Sequence, residues 1–146
     1  MIGAIIGDIV GSRFEFDNIK TKDFDLFTTE CDFTDDTVMT LAVAKALLRH
    51  DNGEDFKKTL INTMHEVGGK YPSCGYGGRF LDWIVDECTE PYNSCGNGSA
   101  MRVSAVGWYA KTLTEAEKLA TISADVTHNH PEGIKGAKAV AGAIFL

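Results

Sequence analysis

Apolar residues in this chain return every three to four positions, and that repeat has no rival. Val38, Leu41 and Ala42, with Met39, Val43, Ala46 and Leu47 on the adjacent stripe, mark a helix over Thr37–His50. Phe56, Leu60, Met64 and Val67 mark a second. Phe80, Leu81, Trp83, Ile84 and Val85 form a short third, and Leu119, Ile122 and Val126 face inward from a fourth. Ile134, Ala137, Ala141, Ile144 and Phe145 carry a fifth. No stretch alternates with the period of two that a half-buried strand needs, and no internal repeat is present. The expected fold is therefore all-α, a compact multi-helix bundle, and 146 residues suit one domain.

The punctuation between these runs agrees. Asp51-Asn52-Gly53 stops the first helix and is expected to cap the next, and Gly68-Gly69 ends that one. Thr114 and Glu117 have capping-box spacing, and Pro131 suits the first turn of the last helix. Asn18 to Asp32 is polar and mixed, and is expected to form a loop over whatever site follows it. Near the start, Gly3, Gly7 and Gly11 would lie on one stripe of a helix. Glycine lowers helix propensity, so the stripe implies close approach of another backbone.

Candidate chemistry gathers at four places. Thr34-Asp35-Asp36-Thr37 opens the first confident helix. One hydroxyl or carboxylate suffices to cap a helix start; a second adjacent Asp adds repulsion that a bound cation would relieve. Capping and a hard divalent ion of the Mg²⁺ or Mn²⁺ kind both remain open readings. Glu15, between Phe14 and Phe16, is a surface charge or an acid tuned by apolar neighbours. Gly96-Asn97-Gly98-Ser99-Ala100-Met101 is a glycine-rich entry to a helix, able to offer backbone N–H groups to an anion or to form an ordinary capped turn. His128 and His130 alternate in a turn, where they cap a helix or line a pocket.

Charge and composition narrow the partners. A net charge of −7 argues against general nucleic-acid binding. The N-terminus has no basic region before its apolar stretch and meets Asp8 early, unlike a signal peptide. No apolar run reaches membrane-spanning length. Cys31, Cys74, Cys88 and Cys95 have no zinc-site spacing and read as reduced thiols in a cytoplasmic protein.

Taken in order, Gly3-Ala4-Ile5-Ile6-Gly7-Asp8 with Gly11 and Glu15, Phe33-Thr34-Asp35-Asp36-Thr37-Val38-Met39, Gly96-Asn97-Gly98-Ser99-Ala100-Met101-Arg102 and Thr127-His128 resemble the ADP-ribosylglycohydrolases. The resemblance implies an all-α orthogonal bundle with two Mg²⁺ or Mn²⁺ ions in a cleft, cleaving ADP-ribose from a modified acceptor. It implies that Thr34, Asp35 and Asp36 bind metal and that Glu15 and Asp36 serve catalysis. Gly96 to Met101 and His128 would bind ADP-ribose, with Gly75-Tyr76-Gly77 closing over it. The family also carries an Asp-x-Asp block followed by Thr or Ser near its C-terminal end, which this chain lacks. The chain ends on Ile144-Phe145-Leu146 in an apolar helix. It reads as the N-terminal portion of such a domain, inactive alone, with a complementing C-terminal segment as partner. The alternative is a non-catalytic ADP-ribose-binding or structural relative. A general di-metal phosphohydrolase would need more basic contacts than Arg79 and Arg102 supply.

Overall fold

Helix α2 (Asp35–Asp51) is the axis around which the others assemble. The computed structural model describes residues 1–146. It is all-helical: α1 (Ile2–Gly11), α2, α3 (Phe56–Gly68), α4 (Gly78–Val85), α5 (Gly98–Met101), α6 (Ser104–Tyr109), α7 (Leu113–Asp125) and α8 (Pro131–Phe145). Val38, Met39, Ala42, Val43, Ala46 and Leu47 of α2 are buried against Phe56, Leu60 and Met64 of α3 and Val106 of α6. Each large apolar side chain buried this way contributes about 1.5–3 kcal/mol. Leu41, expected inward, is 44% exposed. At about 100° per residue the buried apolar positions fill one half of the helix circumference, and Leu41 falls outside it.

Short-range polar contacts set the boundaries. Asp55, not Asp51–Gly53, caps α3, its carboxylate accepting from the Lys58 N–H at 2.8 Å. Helix α7 starts two residues earlier than Thr114 and Glu117 suggest. Thr112 Oγ1 accepts from the Glu115 N–H at 3.1 Å, and Glu115 accepts from the Lys111 N–H at 2.8 Å. Both pairs have the same spacing; the earlier start brings Leu113 against Gly142 of α8. His130 Nδ1 caps α8 by accepting from the Glu132 N–H at 3.2 Å, with Pro131 in the first turn.

One expectation about the N-terminal third does not hold. Nothing lies within 4 Å of where a Cβ would stand on Gly3, Gly7 or Gly11, so no backbone approaches the stripe. Helix α1 buries no residue and rests on α2; Ile2 and Ile6 stay exposed. The segment 18–32 is tied to the turn that follows α1. The Arg13 guanidinium donates to Thr28 Oγ1 at 2.8 Å and to the Asp25 carbonyl, and the Asp32 N–H donates to Ser12 Oγ at 3.1 Å. The four cysteines are free, and no helix is long and apolar enough to cross a membrane.

Candidate functional site

The start of α2 is capped from outside. Asp8 of α1 accepts from the Thr34 N–H at 2.8 Å, from the Thr34 hydroxyl at 2.5 Å and from the Thr37 N–H at 3.1 Å. The Asp35 N–H donates to the Cys74 carbonyl at 2.9 Å. No side chain of the Thr34–Asp36 stretch performs the cap, which frees Asp35 and Asp36 from the structural role the sequence left open. Asp8 is a residue the sequence reasoning passed over. The available signal was a lone acid inside the otherwise apolar Ile2–Gly11.

Asp35 and Asp36 share their surroundings with Asp8 and Glu15. The Asp35 carboxyl is pushed up to about 7, by burial first and then by the charges of Asp36, Glu15 and Asp8. Burial, then Asp8 and Glu15, raises Asp36 as well. None of the six ion pairs in the molecule involves these acids. In kind, the oxygens of Thr34, Asp35 and Asp36 fit a hard divalent cation, and their mutual repulsion is what a cation relieves. In number they do not complete a cage: no three His, Cys, Asp or Glu side chains converge closely enough to hold an ion.

Beside Asp35 opens a cavity of about 300 Å³. It is lined by Asp35 and Met39 of α2, by Gly77, Arg79 and Tyr92, and by the Gly96–Gly98 turn with Met101, Arg102 and His128. The backbone N–H groups of Asn97, Gly98 and Ser99 have no acceptor within the protein, whereas those of Ala100 and Met101 bond the Asn97 carbonyl at 2.8 and 3.0 Å. Gly98 is glycine for a reason specific to this packing: a Cβ there would stand 2.9 Å from His128 Nε2.

The other expected ligand residues divide. Gly75 has φ of +105°, a conformation glycine adopts readily, and its missing Cβ would face Asp35 Oδ1 at 3.6 Å. Gly77 reaches the cavity but Tyr76 does not. Its hydroxyl donates to the Gly68 carbonyl at 3.3 Å and its ring packs edge-on to Phe80. Ser99 and Ala100 also turn away: Ser99 Oγ donates to the Gly133 carbonyl at 2.8 Å, and Ala100 packs on Gly136 of α8. A helical turn sends successive side chains in different directions, so one tetrad cannot face the cavity throughout.

Two of the side chains lining the cavity are arginines. Arg102 is 1% exposed, and burial pulls its guanidinium down to about 10, which leaves it charged at neutral pH. It donates to the Ser123 carbonyl and to Thr127 Oγ1. Arg79 lies over the Tyr92 ring, 4.7 Å from its centre. Burial, then Arg102 and Arg79, pushes the His128 imidazole down to about 4, so it is neutral at pH 7.

Fold and site together define an all-helical protein whose acid-bearing helix start and glycine-rich turn line one cavity. The chain belongs to the ADP-ribosylglycohydrolase family, whose model matches residues 1–146. It is similar to the ADP-ribosylhydrolase ARH3 of Mus musculus and of Homo sapiens. Each is 26% identical over 179 aligned residues, covering all of this chain and 47% and 48% of those proteins. The ADP-ribosylhydrolase ARH1 of Dictyostelium discoideum is 26% identical over 125 residues, covering 71% of this chain and 31% of that protein. The chain spans about half the length of the ARH3 relatives it matches.

Proposed function

We propose that the cavity receives ADP-ribose and that the chain supplies the ligand-binding wall and one side of a metal centre in an ADP-ribosylhydrolase. The observation that carries this reading is one juxtaposition. Asn97 and Gly98, whose N–H groups have no acceptor within the protein, line the same cavity as His128, the buried Arg102 and Asp35. Free amides and arginine side chains suit a pyrophosphate, and the acids would then face the ribose and the scissile bond.

Mg²⁺ or Mn²⁺ would be held by Thr34, Asp35 and Asp36, where it would act as a Lewis acid on ribose oxygens. Cleavage of an N- or O-glycosidic bond at the anomeric carbon develops oxocarbenium-like positive charge. Asp36 and Glu15 are the carboxylates we assign to stabilising that charge and handling the proton of the attacking water. A divalent ion of this type takes about six oxygen ligands, more than these residues offer. We therefore assign the remaining ligands to a complementing segment with an Asp-x-Asp-Thr block. The free thiols and acidic surface favour a cytoplasmic setting. A non-catalytic ADP-ribose-binding role is the second reading, favoured by the absence of three converging metal-binding side chains.

Complementation separates the two. The 146-residue chain is expected to bind at most one divalent ion, weakly, and to release no ADP-ribose from a modified protein. Adding the Asp-x-Asp-Thr segment, fused or in trans, should bring metal-dependent release, which Asp36→Asn abolishes. Full release by the chain alone, or release indifferent to Asp36→Asn, overturns the assignment.

A further inference from the structure

Thr127 Oγ1 is fully buried and has two polar neighbours, Arg102 Nη2 at 2.9 Å and His128 Nδ1 at 2.8 Å. A protonated guanidinium has hydrogens to give and no lone pair to offer. Thr127 Oγ1 therefore accepts from Arg102, and its own proton has one acceptor in reach, His128 Nδ1. If Nδ1 carried a hydrogen, the buried Thr127 hydroxyl would receive two protons and its own would meet no acceptor. Folded proteins avoid such orphaned donors.

We infer that Arg102 and Thr127 are positioning residues that hold His128 as the neutral imidazole with its hydrogen on Nε2, giving the cavity an uncharged donor at the Gly96–Gly98 turn. His128 Nε2 lies 2.9 Å from the space a Gly98 Cβ would fill and 3.8 Å from that of Gly96. Glycine at both positions leaves this nitrogen beside the unpaired amides of the turn. The low proton affinity of the buried ring, which faces Arg102, Arg79 and the Tyr92 ring at 5.9 Å, removes the imidazolium at neutral pH. The matching ligand group is an acceptor oxygen of a phosphate. That last identification rests on the ADP-ribose reading; the tautomer does not.

Two-bond ¹H–¹⁵N correlation spectra of the labelled, ligand-free chain at pH 7 test it. His128 is expected to show an unprotonated Nδ1 and a protonated Nε2. Thr127→Val, which keeps the volume and removes the hydroxyl, should raise the Nδ1–H population severalfold, and Thr127→Ser should restore the wild-type pattern. An Nδ1–H or imidazolium His128 in the wild type overturns the inference, as does a Thr127→Val spectrum unchanged from it. If Thr127→Val fails to fold, the wild-type and Thr127→Ser spectra still decide: both must show Nε2–H. Added ADP-ribose should shift Nε2. An Nε2–H ring that ADP-ribose leaves unmoved upholds the relay and refutes the ADP-ribose reading alone.

Discussion

His128 and Asp35 are tuned in opposite chemical senses by the same burial. The folded chain keeps His128 neutral down to about pH 4, whereas an unfolded histidine takes a proton near 6.5. Between those values the unfolded state binds more protons, so acid favours unfolding. The stability this residue contributes is complete above about pH 6.5 and is lost progressively towards pH 4. At 1.36 kcal/mol per unit the full shift corresponds to about 3 kcal/mol, and solvent screening of the cavity-lining ring lowers the loss to about 2 kcal/mol. Urea midpoints measured from pH 7.5 to 4 should fall more steeply for the wild type than for His128→Gln. For Asp35, burial first and then the neighbouring acids make ionisation unfavourable in the fold, so Asp35→Asn should stabilise the metal-free chain at pH 8. Solvent screening and the lost attraction to the helix dipole leave a net gain of about 1 kcal/mol. The same substitution should abolish hydrolysis in the complemented enzyme, because an amide neither neutralises a cation nor carries charge at the sugar. A lower urea midpoint for Asp35→Asn would contradict the account of the cluster.

Among the elements, the legible ones are those whose side chains alternate between core and water over several turns. Helices α2, α3, α7 and α8 announce themselves by this period, and their breaks by Gly, Asn and Pro. The four-residue α5 and six-residue α6 do not, because neither is long enough to display a period. Helix α6 buries small residues instead: a Cβ on Gly107 would stand 2.7 Å from Ile144 Cβ of α8. The capping-box spacing of Thr114 and Glu117 placed the start of α7 two residues late; Thr112 and Glu115 have the same spacing, and the earlier start packs Leu113 against Gly142 of α8. Thr112→Ala should therefore cost about 1 kcal/mol in urea unfolding, the usual loss for a removed cap. Thr114→Ala should change the midpoint little; equal effects would contradict the observed cap.

At the scale of the molecule, the candidate site lies where segments distant in sequence meet, and this limited what could be read in advance. The acidic pair and the glycine turn are local motifs, visible in the sequence. The capping of position 34 by Asp8, the placing of Arg102 in the cavity lining and the departure of Tyr76, Ser99 and Ala100 from the cavity are long-range events with no local spacing. The turn's role is nevertheless specific enough to test directly. A side chain on Gly98 must displace His128 and close off the unpaired amides. Isothermal calorimetry should show ADP-ribose binding to the wild-type chain and at least tenfold weaker binding to Gly98→Val, with both proteins equally helical by circular dichroism. Equal affinity in the two, or no heat of binding to the wild type, would contradict the assignment of this cavity to ADP-ribose.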